Sequence, residues 1–417
     1  MSVSVACSAS VPARGPRAFV LVTAVAVAGA LPAAGLPAAG AGAAPRELPA
    51  AGRALPAADP SSSYNALTSV SADSASDAWA VGAYRNNTTG VRDTLILHWN
   101  GTAWSRVASP SPGTRLNMLT GVSAAGAGNA WAVGFYRSQA AGTLPLILHW
   151  NGTAWSQVAA PASGLPETEL NGVSTVSDRE AWAAGFAGTP ATGQFGTLIL
   201  RWNGTAWSRM TSPDPSQKDS FLQDVSATRG GGAWAVGSYA RGKTLRTLVL
   251  KWSAPAWTQV KSASPAPAGR YNLLSGVSAG GQGHAWAVGN NPDLSTGPGQ
   301  TLVLGWNGTS WPRVPSPDPG AGANELTGVS AVSGTQAWAV GESALNPSGG
   351  PVDTLILGWN GTAWSQVSSP SPGPASNVLT GVSADSATDA WAVGSYLSKS
   401  VRDTLILHWN GTAWSVR

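Results

Sequence analysis

From Leu67 onward the chain alternates short apolar runs with clusters of Gly, Asn, Ser and Pro, and its apolar positions nowhere follow helical spacing. Four such runs make one cycle. Leu119-Thr120-Gly121-Val122-Ser123 is the first and Ala130-Trp131-Ala132-Val133-Gly134-Phe135-Tyr136 the second. Leu146-Ile147-Leu148-His149-Trp150 and Ala154-Trp155-Ser156-Gln157-Val158 complete it. Aliphatic and aromatic residues bounded by turn formers read as β-strands, and an unbroken apolar third run suits a strand covered on both faces. Asn-Gly separates the third and fourth runs in six cycles, at Asn100, Asn151, Asn203, Asn307, Asn360 and Asn410. Both residues tolerate positive φ, so a two-residue type I′ hairpin is predicted, with Trp99 and Trp104 on one face. The fourth cycle carries Ser253-Ala254-Pro255 instead and needs a different turn.

The cycle is an internal repeat. Its A-W-A-[VA]-G tryptophan recurs at Trp79, Trp131, Trp182, Trp234, Trp286, Trp338 and Trp391, at intervals of 51 to 53 residues. Three tryptophans per copy over seven copies account for all 21 in the chain, which assigns them to packing between copies. Four antiparallel strands repeated about every 52 residues predict an all-β fold, a seven-bladed β-propeller over residues 65–417. Contiguous blades with the first strand innermost are favoured over a clasp in which residues 67–71 complete the last blade.

These motifs resemble the Asp-box and photosystem-assembly-factor type of bacterial propeller repeat, and more loosely kelch repeats. The residues that carry the likeness are Asp77-Ala78-Trp79-Ala80-Val81-Gly82 and Ile96-Leu97-His98-Trp99-Asn100-Gly101-Thr102-Ala103-Trp104. Aligned on Gly101 and Trp104, the Asp-box aspartate falls on Trp99 and its serine on Leu97. The defining carboxylate is missing in every copy, so the resemblance implies the fold and not sialidase chemistry.

Copy-to-copy comparison locates the tolerant loops. The first-strand Leu lies 12 residues before the second-strand Trp throughout, and the hairpin Trp pair is always five apart. From the second-strand Trp to the third-strand Trp the spacing runs from 18 to 21, and two further residues are inserted after Trp257. In an up-and-down blade both variable connections emerge on one rim, the face where repeat proteins commonly bind. Tyr84, Tyr136, Tyr239 and Tyr396 stand at the threshold of that rim, with Arg85, Arg137 and Arg241 beside three of them. Rings next to guanidinium groups could stack on a sugar or anchor a protein, so these seven are the candidate binding residues. The competing reading has each Tyr packing beneath its own loop.

Other chemistry is sparse. Charged residues are 11% of the chain, and 24 basic against 20 acidic side chains are scattered singly, which excludes a nucleic-acid partner. Cys7 is the only cysteine, so disulfide frameworks and cysteine-ligated metals are excluded, and no cofactor is expected. His98, His149 and His408 share one slot in different copies and do not converge on a metal. Gly276-Val277-Ser278-Ala279-Gly280 has the form of a nucleophile elbow, yet a strand and not a helix follows it. Rim acids for a glycan-directed hydrolase or lyase would be Asp93, Asp293, Glu342, Asp353 and Asp403. Asp93, Asp353 and Asp403 occupy one repeated slot, which points to a local turn role.

Residues 1–44 carry Arg14, Arg17, an apolar stretch from Phe19 and the small triplet Ala41-Gly42-Ala43, the pattern of a secretory signal peptide. Residues 45–64 read as a Pro/Ala/Ser-rich linker. The expectation is a secreted, monomeric, non-catalytic module that binds an extracellular glycan or protein and leaves the membrane once its signal is cleaved. The alternative is the glycan-directed enzyme.

Overall fold

The computed structural model describes residues 60–139, 142–216, 218–266, 271–280, 283–292, 299–347 and 350–417. The expected leader, most of the linker, Cys7 and Asp293 lie outside the described residues.

The fold is all-β, with no helix among the described residues. Strands β1 (Asn65–Ser74), β2 (Asp77–Arg85), β3 (Arg92–Trp99) and β4 (Trp104–Arg106) pair antiparallel in sequence order as unit 1. Six further four-stranded units repeat the order over residues 116–157, 167–210, 220–259, 273–314, 324–367 and 376–416. Each unit is contiguous in sequence, and its first strand touches the first strands of both neighbouring units.

The glycine of A-W-A-[VA]-G has a steric cause. The register of β1 against β2 shifts between Leu67 and Ser69, opposite Gly82, and bulges of this kind bring two backbones together. A Cβ on Gly82 would stand 2.0 Å from the carbonyl oxygen of Ala66. At Gly134, Gly185, Gly237, Gly289, Gly341 and Gly394 the corresponding approach is 1.9–2.0 Å.

The hairpin turn differs from the two-residue type I′ turn that Asn-Gly suggests. Trp99 pairs directly with Trp104, leaving a four-residue connection in which Gly101 has φ of 89° while Asn100 does not take positive φ. Asn100 Oδ1 instead accepts the backbone N–H of Thr102 and of Ala103, each at 3.0 Å, and the Thr102 hydroxyl at 2.8 Å. The side chain closes the turn, so only glycine needs the left-handed region. Unit 4 does have a two-residue connection, Ala254-Pro255, with a cis peptide bond.

Adjacent units are joined by three repeated devices. Each second-strand Trp lies 4.7–5.0 Å from the third-strand Trp of the next unit. It also meets that unit's fourth-strand Trp edge-on at 4.9–5.3 Å. All 21 tryptophans are used in this way, as the repeat arithmetic predicts. Second, the first-strand serines Ser71, Ser123, Ser174, Ser226, Ser278 and Ser330 accept a backbone N–H from the following unit at 2.9–3.1 Å. Ser278, the serine of the elbow-like motif, is thereby a structural residue. Third, a buried asparagine at the head of the first strand donates to the preceding unit's third strand, as Asn117 does to Arg92 O and Asn377 to Val352 O.

Every device recurs between unit 7 and unit 1. Trp391 packs on Trp99 and Trp104, Ser383 Oγ accepts the N–H of Ala72 at 3.0 Å, and Asn65 donates to Arg402 O. Residues ahead of β1 take part, because Arg402 N–H donates to Ser63 O at 3.2 Å.

Candidate functional site

A groove opens at unit 3, with a volume of about 820 Å³. Its walls are the strand ends that flank the second-to-third-strand connection (Thr189, Gln194, Phe195) and Ser212, Asp214, Ser216 and Lys218 of the connection into unit 4. These are the two connections whose lengths vary along the chain. Half-buried Phe195 is braced against Phe186 and Phe221 at 5.7 and 5.6 Å, so one wall is rigid. Leu165 and Met210 supply apolar surface, while Arg209 and Lys218 are exposed cations.

The groove's floor comes from a device that sequence reasoning passed over, the motif Ser-Pro-[Ser/Asp]-Pro five residues past a fourth-strand Trp. In unit 1, Thr94 N–H donates to Ser111 Oγ at 3.0 Å and the Thr94 hydroxyl shares a hydrogen bond with Ser109 at 2.8 Å. In unit 3, Thr197 bonds Ser212 at 2.7 Å, and Asp214 accepts the N–H groups of Thr197 and Ser216. Partial burial raises the Asp214 pKa, and these donors oppose the rise. The signal was available: five copies place a hydroxyl residue at this spacing, at Ser109, Ser212, Ser262, Ser316 and Ser369.

The seven residues singled out in the sequence do not converge. Tyr84 is buried, its hydroxyl 2.6 Å from Arg106 Nη2 and its ring 4.4 Å from the guanidinium carbon. Tyr136 is half-buried against the core between units 1 and 2, and Tyr396 is buried against unit 6. Arg137 reaches into unit 3, where it pairs with Glu169 at 3.4 Å and Glu167 at 3.7 Å. Arg85 and Arg241 are exposed at the ends of their strands. Tyr239 lines a groove of about 260 Å³ in unit 4 with Arg246 and Gln259.

The histidines have structural partners. His98 stacks on Trp79 at 4.1 Å and shares a hydrogen bond with Asp77 at 2.7 Å. His149 sits on Trp131 and bonds Asn129, and His408 sits on Trp391 and bonds Asp389. Arg201 and Lys251 occupy the same position over Trp182 and Trp234. Among the rim acids, Asp93 accepts from Asn86 and Asn117, and Asp403 from Asn65, which ties this repeated slot to the asparagine device.

Glu342 is different. It lies directly opposite Glu325 across the first two strands of unit 6, and burial pushes the two carboxyls up to about 8 and about 7. Their mutual repulsion adds to the rise at Glu342, and Arg402 opposes it. The native state therefore binds these protons more tightly than the unfolded chain does. Stability present below about pH 4 is lost progressively as pH rises toward 8. Glu342→Gln is expected to raise the melting temperature at pH 8 while leaving it nearly unchanged at pH 4.5. Thermal denaturation across that range checks the sign.

No family model matches the chain, and no curated protein matches it. Solved structures do. An ulvan lyase described as a new polysaccharide lyase family, PL25, superposes with a TM-score of 0.52 at 10% identity, covering 81% of this chain and 91% of that one. The same lyase bound to -[GlcA(1-4)Rha3S]- gives 0.51 at 10% identity with the same coverage. YCF48 bound to a D1 peptide gives 0.44 at 15% identity, covering 72% and 80%. The fold is propeller-like. Identities this low speak to the fold alone.

Proposed function

We propose that the chain is a secreted, closed seven-bladed β-propeller that acts as a non-catalytic binding module, with its ligand in the unit 3 groove. Closure is supported by the tryptophan, serine and asparagine devices, each of which recurs between unit 7 and unit 1. Secretion rests on the basic and apolar N-terminal pattern. The observation that carries the binding reading is the groove of about 820 Å³, set at the two variable connections and holding two cations beside a braced aromatic ring. The ligand is an extracellular protein or glycan.

One observation favours a second reading, a glycan-directed hydrolase or lyase. Glu325 and Glu342 form a cross-strand carboxyl pair with raised pKa values, a condition that general acid–base chemistry uses. Binding screens against glycans and secreted proteins, with a reducing-sugar assay on the same samples, separate the two. The module predicts binding that is sensitive to groove substitutions, with no product released. Product release that disappears in Glu342→Gln would establish the enzyme instead.

A further inference from the structure

The repeats allow one unit to be read as the occupied form of another. In unit 1, the slot two residues past the A-W-A-V-G glycine holds Tyr84, and the slot two residues past the fourth-strand Trp holds Arg106. The two close on each other, with the guanidinium donating to the phenol oxygen at 2.6 Å and lying 4.4 Å over the ring. Units 2, 4 and 7 also fill the first slot with their own tyrosine, Tyr136, Tyr239 and Tyr396. Unit 3 keeps the arginine, as Arg209, but has Ala187 in place of the ring. The residue paired with that slot is Asp93 in unit 1 and Gly196 in unit 3, where the Asp214 carboxylate takes the space a Cβ would fill. Where the tyrosine is present, as in unit 4, the groove measures about 260 Å³; without it, in unit 3, it measures about 820 Å³.

We propose that the unit 3 groove receives a tyrosine side chain from a partner polypeptide, its ring replacing the one deleted at Ala187 and its hydroxyl accepting from Arg209. The proposal rests on the binding-module reading and names the partner's chemistry. Arg209 is exposed and forms no ion pair among the described residues, so it can turn to a ligand. Leu165 and Met210 offer apolar surface to the ring, as a phenol requires. The ring must come from a different molecule. All six tyrosines of this chain are buried or half-buried, and residues 1–59 contain neither Tyr nor Trp, so neither a second copy nor the N-terminal segment supplies one.

The test is calorimetric titration of the whole protein with three probes: the peptide Gly-Gly-Tyr-Gly-Gly, its Phe counterpart and methyl galactoside. The Tyr peptide is expected to bind about tenfold more tightly than the Phe peptide, a margin set by a hydrogen bond to a charged donor. Arg209→Gln should remove that margin. Ala187→Tyr should abolish binding at an unchanged melting temperature, since four units already carry Tyr in that slot. If Ala187→Tyr does not fold, Arg209→Gln decides alone. Equal affinity for the Tyr and Phe peptides overturns the proposal. Saccharide binding that depends on Arg209, with no peptide binding, also overturns it but keeps the groove as a glycan site. Binding of some probe that both variants leave untouched overturns the proposal and the groove assignment together.

Discussion

Gly134→Ala lowers the unfolding free energy by about 3 kcal/mol or more, the upper end of what forcing a methyl group into a packed site costs. A Cβ at Gly134 would lie 2.0 Å from Met118 O and 2.8 Å from Leu119 Cα, both backbone atoms of the paired first strand. No rotamer change relieves a clash between two main chains, so the strands must separate where the register shifts between Leu119 and Gly121. That separation reaches beyond one unit, because the same first strand presents Ser123 to unit 3 and donates the Ala124 N–H to Ser71 of unit 1. Gly128 provides the control. A Cβ there meets nothing within 4 Å, and Gly128→Ala should stay within about 0.5 kcal/mol of the parent. Chemical denaturation of the two variants side by side gives the comparison; similar stabilities would show that the close approach does not hold in solution.

What could be read from the sequence, and what could not, follows from where each partner lies. The tryptophan packing was legible because each indole occupies one slot seven times, and only a repeated interface uses every copy. The rim of variable connections was legible for the same reason, since copies can be aligned against one another. The turn at Asn100 was misread because a two-letter rule counts backbone conformations, whereas here a side-chain oxygen makes the bonds. Arg137 was read as a ligand-binding group because its partners, Glu167 and Glu169, lie one unit further along the chain. The groove was hidden for a different reason. It is made by what unit 3 lacks, a ring at Ala187, and a search for aromatic residues passes over such a place. Arg209 still carried a signal, because arginine recurs two residues past the fourth-strand Trp in units 1, 3 and 5, at Arg106, Arg209 and Arg313.

Trp391→Ala tests the joining of the last unit to the first. Trp391 is 1% exposed because Trp99 and Trp104, more than 280 residues earlier, cover it at 4.9 and 5.1 Å. Trp182, also 1% exposed, is covered by Trp252 and Trp257 of the next unit at 5.0 and 5.3 Å. If the wheel is closed, the two sites are equivalent, and each alanine variant loses about 3–5 kcal/mol, the usual cost of emptying a buried tryptophan site. Equilibrium unfolding of Trp391→Ala beside Trp182→Ala is therefore the deciding measurement. Closure predicts matching losses. A large loss at Trp182 with little at Trp391 would mean that the first and last units do not meet in solution, contradicting the closed ring.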